Sequence, residues 1–160
     1  KTLHMSQRQG EGNAVMAATY SGHTIVGGLG QLGGILCSGL TEAGARVVGI
    51  DLDEHQTAVV TARRQGIPVV IGDMTLRETL MEADIGQALC VVMCSGDDLA
   101  NIEAAIMAKE LNPAATVYTR VFKKSLADRI NEALHHDIIT FSPYAAAAET
   151  ILGQLSRDEH

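Results

Sequence analysis

Residues 25–34 read I-V-G-G-L-G-Q-L-G-G, and this stretch decides the fold of the chain. Two β-branched residues run directly into glycines, and apolar residues then recur at helical spacing at Leu32, Leu36 and Leu40. A strand, a tight turn and a helix are therefore predicted, in that order.

The glycines of this stretch form the pattern G-x-G-x-x-G at Gly28, Gly30 and Gly33. In a dinucleotide-binding turn, the first glycine permits the turn, the second lets a pyrophosphate approach the backbone, and the third lets helix and strand pack closely. The start of the helix then presents free N–H groups and the positive end of its dipole to a phosphate. A glycine-rich turn that serves packing alone is the alternative.

An acidic residue follows at the spacing that a nucleotide site needs. The next apolar run, residues 46–50, ends at Asp51, which lies 23 residues after Gly28. In nucleotide-binding folds an acid about 20 residues after the glycines binds the ribose hydroxyls, and its charge repels a 2′-phosphate. Asp53 is an alternative acid, although its position favours it as the start of the next helix. The combined pattern favours nucleotide binding over packing alone.

Composition limits the class of protein. The 160 residues are enough for one domain, and 46% hydrophobic with 19% charged residues agrees with a sheet covered on both faces. The net charge of −7 argues against a nucleic-acid partner. We find no apolar run of the roughly 18 residues that a membrane span needs, no signal peptide and no metal-ligand spacing. Residues 1–22 read as an N-terminal tail or linker, and residues 23–160 as one nucleotide-binding domain.

Six strands alternate with helices along this domain. The later strands are predicted at residues 46–50, 69–71, 88–94, 115–121 and 137–141. The helices after the first are predicted at residues 53–64, 76–82, 98–111 (with Leu99, Ile102 and Ile106 on one face), 123–134 and 144–155. This alternation predicts an α/β fold, a Rossmann-like doubly wound parallel sheet in the order 3-2-1-4-5-6.

Further candidate ligand contacts follow the third and fifth strands. Ligands of open parallel sheets bind outside the carboxyl ends of the strands, so Asp73 and Met74 are candidates to contact an adenine. The alternative, compatible with the first, is that Asp73 or Thr75 caps the next helix. Arg120 comes near the end of the fifth strand, where it reaches either a phosphate or a salt-bridge partner on the rim.

No catalytic apparatus accompanies the predicted site. None of the three tyrosines is followed by a lysine in the pattern Y-x-x-x-K, and the glycines do not form the phosphoryl-transfer motif G-x-x-x-x-G-K-[ST]. No acid/base pair is visible either. We therefore expect a binding domain without catalytic residues.

The chain resembles the regulator of potassium conductance (RCK or KTN) domains, also called TrkA N-terminal domains. The resemblance covers roughly residues 22–155 and consists of five segments in order: I-V-G-G-L-G-Q-L-G, A-G-A-R-V-V-G-I-D, V-V-I-G-D-M-T, S-G-D-D-L-A-N-I-E-A-A and L-N-P-A-A-T-V-Y-T-R. It implies a cytoplasmic domain at the inner face of the membrane that binds NAD(H), ATP, ADP or AMP. It also implies assembly as dimers or octameric rings that gate the pore of a potassium channel or transporter subunit.

The resemblance also implies roles for individual residues. Residues 28–33 would hold phosphates, Asp51 the ribose, and Asp73 and Met74 the adenine region, with the others completing the rim. The full predicted set is Gly28, Leu29, Gly30, Gln31, Leu32, Gly33, Asp51, Leu52, Asp73, Met74, Ser95, Gly96, Asp97, Asp98, Asn101 and Arg120.

The sequence departs from the family pattern in two respects. The smaller C-terminal lobe that usually follows is missing, and so is a potassium filter such as T-V-G-Y-G, so we expect the pore upstream of residue 1 or on another chain. The favoured function is a non-catalytic sensing domain of a potassium transport system. The alternative is the cofactor-binding half of an NAD-dependent oxidoreductase.

The last predicted helix, residues 144–155, carries apolar side chains beyond a single stripe. Such a helix packs on more than one surface, which includes that of a partner; burial on its own sheet is the alternative. We therefore expect self-association through this helix.

Overall fold

A computed structural model of the chain describes residues 21–134 and 137–158. Its six parallel strands form one sheet in the order β3-β2-β1-β4-β5-β6, which confirms the predicted fold and strand order. The strands are β1 Thr24–Gly27, β2 Val47–Asp51, β3 Val69–Ile71, β4 Cys90–Met93, β5 Thr116–Arg120 and β6 Ile139–Phe141. Most of the predicted N-terminal linker, residues 1–20, lies outside the described residues.

Six α-helices connect or follow the strands in the described part of the chain. They are α1 Gln31–Glu42, α2 Thr57–Arg64, α3 Arg77–Glu82, α4 Asp98–Leu111, α5 Lys124–Ala133 and α6 Pro143–Asp158, with a short 3-10 helix at Ile85–Gln87. None of the helices in this part is both long and apolar enough to cross a membrane.

The core consists of two layers, one on each face of the sheet. On one face, Val26, Val47 and Val69 of the strands pack with Cys37 of α1 and Val59 of α2. The opposite layer contains α3 and α4 side chains packed on alternate strand residues, among them Leu80, Ala104, Ala105, Ile25, Val48 and Val91. Side chains of successive strand residues point to opposite faces, so continuous apolar strands supply both layers.

The apolar face predicted for α4, with Leu99, Ile102 and Ile106, is not the face that packs on the sheet. Leu99 is 65% exposed and Ile106 is 37% exposed, although both were expected to lie on the apolar face. Small side chains face the sheet instead because they let the helix backbone approach it closely, while the longer ones project outward. The buried residues of α4 are Asn101, Ala104, Ala105 and Ala108.

The sequence predicts that Asp53 starts the second helix, and this prediction is wrong. The Oδ1 of Asp53 accepts a hydrogen bond of 2.9 Å from the N–H of His55, and α2 begins only at Thr57. An aspartate that bonds the backbone two residues further on stabilises a turn, which here delays the helix.

The two halves of the sheet differ in how well they are covered. In β1, β2 and β3 nearly every residue is buried. Residues of β4 and β5 alternate between buried and partly or fully exposed, and none of β6 is buried. Residues 146–157 of α6 are exposed throughout. This helix therefore does not cover its own sheet, which excludes the expected alternative of ordinary burial.

Candidate functional site

The turn after β1 requires glycine at its first position. Gly28 has φ of +87°, a conformation that other residues rarely adopt. A Cβ at this position would also lie only 2.6 Å from the backbone nitrogen of Ser95. The turn can therefore pass directly over the loop that follows β4.

Gly33 and Gly30 serve different purposes. A Cβ on Gly33 would collide with the carbonyl oxygen of Gly28, so this glycine permits close packing of α1 on the turn. By contrast, a Cβ on Gly30 would meet nothing within 4 Å. Gly30 is the N-cap of α1, and no side chain caps the helix there. Gly30 therefore leaves open space beside uncapped N–H groups, which is the property of a phosphate-binding helix start.

Asp51 joins the glycine turn to the end of β2. Its Oδ2 accepts a hydrogen bond of 2.8 Å from the N–H of Leu29, and its Oδ1 accepts one of 2.9 Å from the N–H of Asp53. Each carboxylate oxygen has a second lone pair for a further donor. Asp51 thus fixes the turn and retains acceptors for a ligand hydroxyl.

A cavity of about 210 Å³ opens at the carboxyl ends of the central strands. The structure brings these predicted residues together in its lining: Gly28, Asp51, Leu52, Asp73, Met74, Ser95, Gly96 and Asp97. Sequence reasoning missed Ile50, Gly72 and Ala100. Ile50 and Gly72 each precede a predicted acid, so extending the strand-end rule by one residue would have found both.

Other predicted residues lie outside this cavity. Leu29 has a fully buried side chain in the core, and Gly30 and Gln31 line a separate groove of about 940 Å³ between α1 and α2. The predicted residues that do not line the cavity are Leu29, Gly30, Gln31, Leu32, Gly33, Asp98, Asn101 and Arg120.

Asp73 closes a turn rather than capping α3. Its Oδ1 accepts hydrogen bonds from the N–H of Thr75 at 2.9 Å and from its hydroxyl at 2.7 Å. The N-cap of α3 is Leu76, with no capping side chain, so the expectation that Asp73 or Thr75 caps this helix is wrong. The turn uses Oδ1 and leaves Oδ2 available for a ligand.

The buried side chain of Asn101 fixes the loop after β4 through hydrogen bonds. It is fully buried, and its Oδ1 accepts hydrogen bonds from the N–H of Ser95 at 2.9 Å and from its hydroxyl at 2.8 Å. Its Nδ2 donates to the carbonyl oxygens of Ser95 at 2.9 Å and Arg120 at 3.2 Å. Asn101 is thus placed to act on a ligand through Ser95, and it ties this loop to β5.

The two acids at the start of α4 have structural partners. Asp97 caps the helix by accepting a 3.1 Å hydrogen bond from the N–H of Ala100, and it also lines the cavity. Asp98 accepts a 2.9 Å hydrogen bond from the N–H of Phe122 in the loop after β5. Asp98 therefore connects two rim loops from outside the cavity.

Arg120 makes no ion pair with any other described residue, so the predicted alternative of a rim salt bridge is wrong for this part of the chain. Its guanidinium carbon lies 5.9 Å from the ring centroid of Tyr144 in α6. The guanidinium of Arg120 therefore lies at the carboxyl end of β5 without a carboxylate partner among these residues.

The charge of the cavity determines what it can accept. Asp51, Asp73 and Asp97 line it, and no lysine, arginine or histidine of the described residues does. Carboxylates accept hydrogen bonds from hydroxyl or amino groups and repel a phosphate. The arrangement suits an uncharged sugar and base inside the cavity, with phosphates outside at the start of α1.

Related sequences include potassium uptake proteins. The chain is 29% identical over 136 residues to the Trk system potassium uptake protein TrkA homolog of Pyrococcus abyssi, and the match covers 83% of this chain and 60% of that protein. An uncharacterized protein of Methanothermus fervidus is 28% identical over 145 residues, which cover 87% of this chain and 23% of that protein. The chain therefore spans only part of the length of these relatives.

Solved structures with the same fold include the TrkA-N domain of the Escherichia coli inner membrane protein ybaL. It has a TM-score of 0.74 and 20% identity, and the match covers 86% of this chain and 98% of that one. The Shewanella denitrificans Kef C-terminal domain in its AMP-bound form has a TM-score of 0.63 and 19% identity, covering 82% and 81% of the two chains. The GsuK channel bound to NAD has a TM-score of 0.62 and 16% identity, covering 76% and 22%.

The family itself is shown by the sequence. The TrkA-N domain profile matches residues 24–141, from the first residue of β1 to the last residue of β6. This match contains the glycine turn, Asp51 and the whole cavity lining. The chain therefore belongs to the TrkA-N domain family.

Proposed function

We propose that the chain is a regulatory domain that binds an adenine nucleotide and thereby gates potassium transport through a membrane channel or transporter. One observation supports the proposal: the glycine turn, an acid at the position that binds ribose hydroxyls (Asp51) and the cavity at the carboxyl ends of the strands lie together. Among the described residues, the cavity lining contains no histidine, cysteine, lysine or tyrosine, and the carboxylates of its three aspartates already accept backbone hydrogen bonds within their own turns. The site can therefore bind a nucleotide, and we expect no reaction there.

The proposed pose follows from the charges of the site. The adenosine lies in the acidic cavity, with the ribose hydroxyls donating to Asp51 and the adenine beside Asp73 and Met74. The phosphates lie at Gly30, where open space and uncapped N–H groups meet. NAD(H), ADP, ATP and AMP all share the part of the ligand that this pose uses.

Family membership and the related proteins support the regulatory part of the proposal. The Pyrococcus relative is a potassium uptake component, and the Kef and GsuK structures contain AMP and NAD. We infer a cytoplasmic domain, residues 23–160, held at the inner face of the membrane by a pore or transporter partner. Residues 1–22 would belong to the connection.

We also propose that the domain forms a homodimer or a larger ring. The apolar side chains of α6 are exposed, with Ile151 at 57% and Leu152 at 62%, and the half of the sheet formed by β4–β6 lacks full cover on one face. Joining two copies would bury both surfaces, and burial of apolar area drives association. A nucleotide then acts by binding one assembly state more tightly than another.

Calorimetry with ADP, NAD and NADP tests the binding site. We expect ADP and NAD to bind and NADP to bind more weakly, because its 2′-phosphate would approach Asp51. Gly30→Val fills the space beside the α1 N-terminus and should weaken binding about 100-fold, the worth of one or two charge-assisted hydrogen bonds. Equal affinity for NAD and NADP would remove Asp51 from the proposed ribose role.

The matched control is Gly39→Val, which also adds a side chain where nothing lies within 4 Å. It lies further along the same helix, α1, so both variants should fold, as judged by circular dichroism, but only the Gly30 variant should lose binding. An assay of NADH oxidation with varied carbonyl compounds completes the test. Sustained turnover would favour an oxidoreductase over a sensing domain.

A further inference from the structure

Arg120 ends β5, which only one strand, β4, separates from the strand that leads into the glycine turn, where we propose that the phosphates bind. The register that pairs Met93 with Thr119 places Arg120 beside Cys94, whose thiol donates to the carbonyl oxygen of Gly28 at 3.5 Å. Burial raises the pKa of Cys94 to about 12, and the positive charge of Arg120 acts in the opposite direction. The guanidinium is therefore within electrostatic reach of a thiol that touches the turn.

On its other side, Arg120 contacts the first turn of α6. Its guanidinium carbon lies 5.9 Å from the centre of the Tyr144 ring, which lies 5.0 Å from the ring of Phe122. Ser142 donates a 2.9 Å hydrogen bond to the carbonyl of Phe122 and accepts one of 3.3 Å from the N–H of Ala145. These contacts attach the start of α6 to the end of β5, while residues 146–157 are exposed.

The two neighbours of Arg120 differ in how strongly they attract a guanidinium. Tyr144 is 58% exposed, and a cation–π contact at an exposed ring is weak. Hydrogen bonds between a guanidinium and a phosphate are charge-assisted on both sides and stronger. Because Arg120 has no ion pair among the described residues, a phosphate at the turn would not have to displace a carboxylate.

We propose that Arg120 exchanges partners when nucleotide binds, leaving the Tyr144 ring for a phosphate at the glycine turn and so releasing the first turn of α6. This inference rests on the proposed nucleotide site and supplies its physical link to the exposed helix. Linkage makes the effect reciprocal: any contact that holds Tyr144 on Arg120 weakens nucleotide binding by the same factor.

The test combines calorimetry with hydrogen–deuterium exchange on the full chain, with ADP and NADH as ligands. In the wild type, nucleotide should accelerate amide exchange in residues 143–150. Tyr144→Leu removes the ring, so these residues should exchange fast without nucleotide, with no further increase on binding. The same variant should bind nucleotide roughly two- to fivefold more tightly, the equivalent of one exposed cation–π contact. Tyr144→Phe keeps a ring and should behave like the wild type.

The outcomes separate the two proposals. Wild-type protein that binds nucleotide without any change of exchange in residues 143–150 overturns the partner exchange and leaves the binding site intact. An unchanged nucleotide affinity in a folded Tyr144→Leu variant does the same. Wild-type protein that binds neither ligand overturns both proposals. The wild-type exchange measurement decides the matter even if the leucine variant does not fold.

Discussion

The half of the sheet formed by β1–β3 and the half formed by β4–β6 have the same parallel geometry but different cover. The first half is closed on both faces, and its strands are almost entirely buried. It also carries the glycine turn, Asp51 and Asp73. The second half is closed on the α4 face only, so its strand residues alternate between buried and accessible. It ends in the exposed helix α6.

This difference indicates a division of tasks within one fold. On the proposed function, the closed half is the rigid frame for ligand groups, because buried strands and close glycine contacts leave little freedom at the turn. The half formed by β4–β6 has exposed apolar surface on one face. That surface adjoins α6, the helix that Arg120 contacts. On the proposed function, the glycine turn and Asp51 of the first half hold the ligand, with the loop after β4 completing the cavity. The mechanical output lies in the second half, which is hydrogen-bonded to the first through β1 and β4.

The strongest test of the closed half is Gly33→Ala. The added Cβ would collide with the carbonyl oxygen of Gly28, so we expect a loss of about 3 kcal/mol in the free energy of unfolding. Urea denaturation measures it. Gly39→Ala is the matched control on the same helix and should stabilise by about 0.5–1 kcal/mol through helix propensity. Similar effects of the two substitutions would contradict the close packing of α1 on the turn.

Ile151→Asp tests the half with the accessible face. A charge in place of an apolar side chain that becomes buried on association should raise the dissociation constant of the dimer at least tenfold. Nucleotide affinity of the monomer should not change, because Ile151 is on α6, away from the cavity. Sedimentation with and without ADP and NADH measures both states.

The control on the same helix is Thr150→Asp, which places the same charge about 100° around the helix, outside the stripe of Tyr144, Ile151 and Leu155. It should leave association nearly unchanged. A wild-type domain that remains monomeric at every concentration, with or without nucleotide, would contradict self-association.

Val26→Ala and Val92→Ala compare the two halves directly. These valines are register partners in β1 and β4 and belong to the same core layer, but Val26 is fully buried while Val92 is only partly buried. We expect Val26→Ala to cost about 2 kcal/mol and Val92→Ala about 1 kcal/mol, in proportion to the apolar surface removed from water. Urea denaturation at low protein concentration gives both values, and equal costs would show that the second half is covered in the monomer.

The smallest expected effect concerns the three thiols. Burial raises the pKa values of Cys37 and Cys94 to about 12, so both stay protonated up to pH 9 and should resist iodoacetamide in the folded state. Burial also raises the pKa of Cys90, which is only partly buried. Cys90 should react first, a few-fold faster, as peptide mass spectrometry would show. Faster reaction at Cys37 than at Cys90 would reverse the comparison.

Much of the fold was predictable because it depends on local patterns. Apolar runs, glycines and the residues after strands located every strand and α-helix of the described part to within a few residues, but not the 3-10 helix at Ile85–Gln87, and parallel alternation implied the strand order. The errors came from competition between alternative local interactions, or between alternative faces of a helix, and the periodicity of apolar residues does not show which alternative is adopted. Asp53 bonds the backbone two residues ahead instead of starting α2, and small alanines, rather than Leu99 and Ile106, face the sheet from α4.

The sequence by itself determined which residue types stand at the strand ends. In nucleotide-binding folds, glycines and acids follow the strands at fixed spacing, and this spacing is visible in the sequence. Only the tertiary structure decided their separate tasks. Gly30 is open while Gly33 is tightly packed, Asn101 is buried behind Ser95 rather than facing the cavity, and α6 projects instead of covering β4–β6. These distinctions depend on contacts between segments that are distant along the chain, and such contacts leave no local pattern.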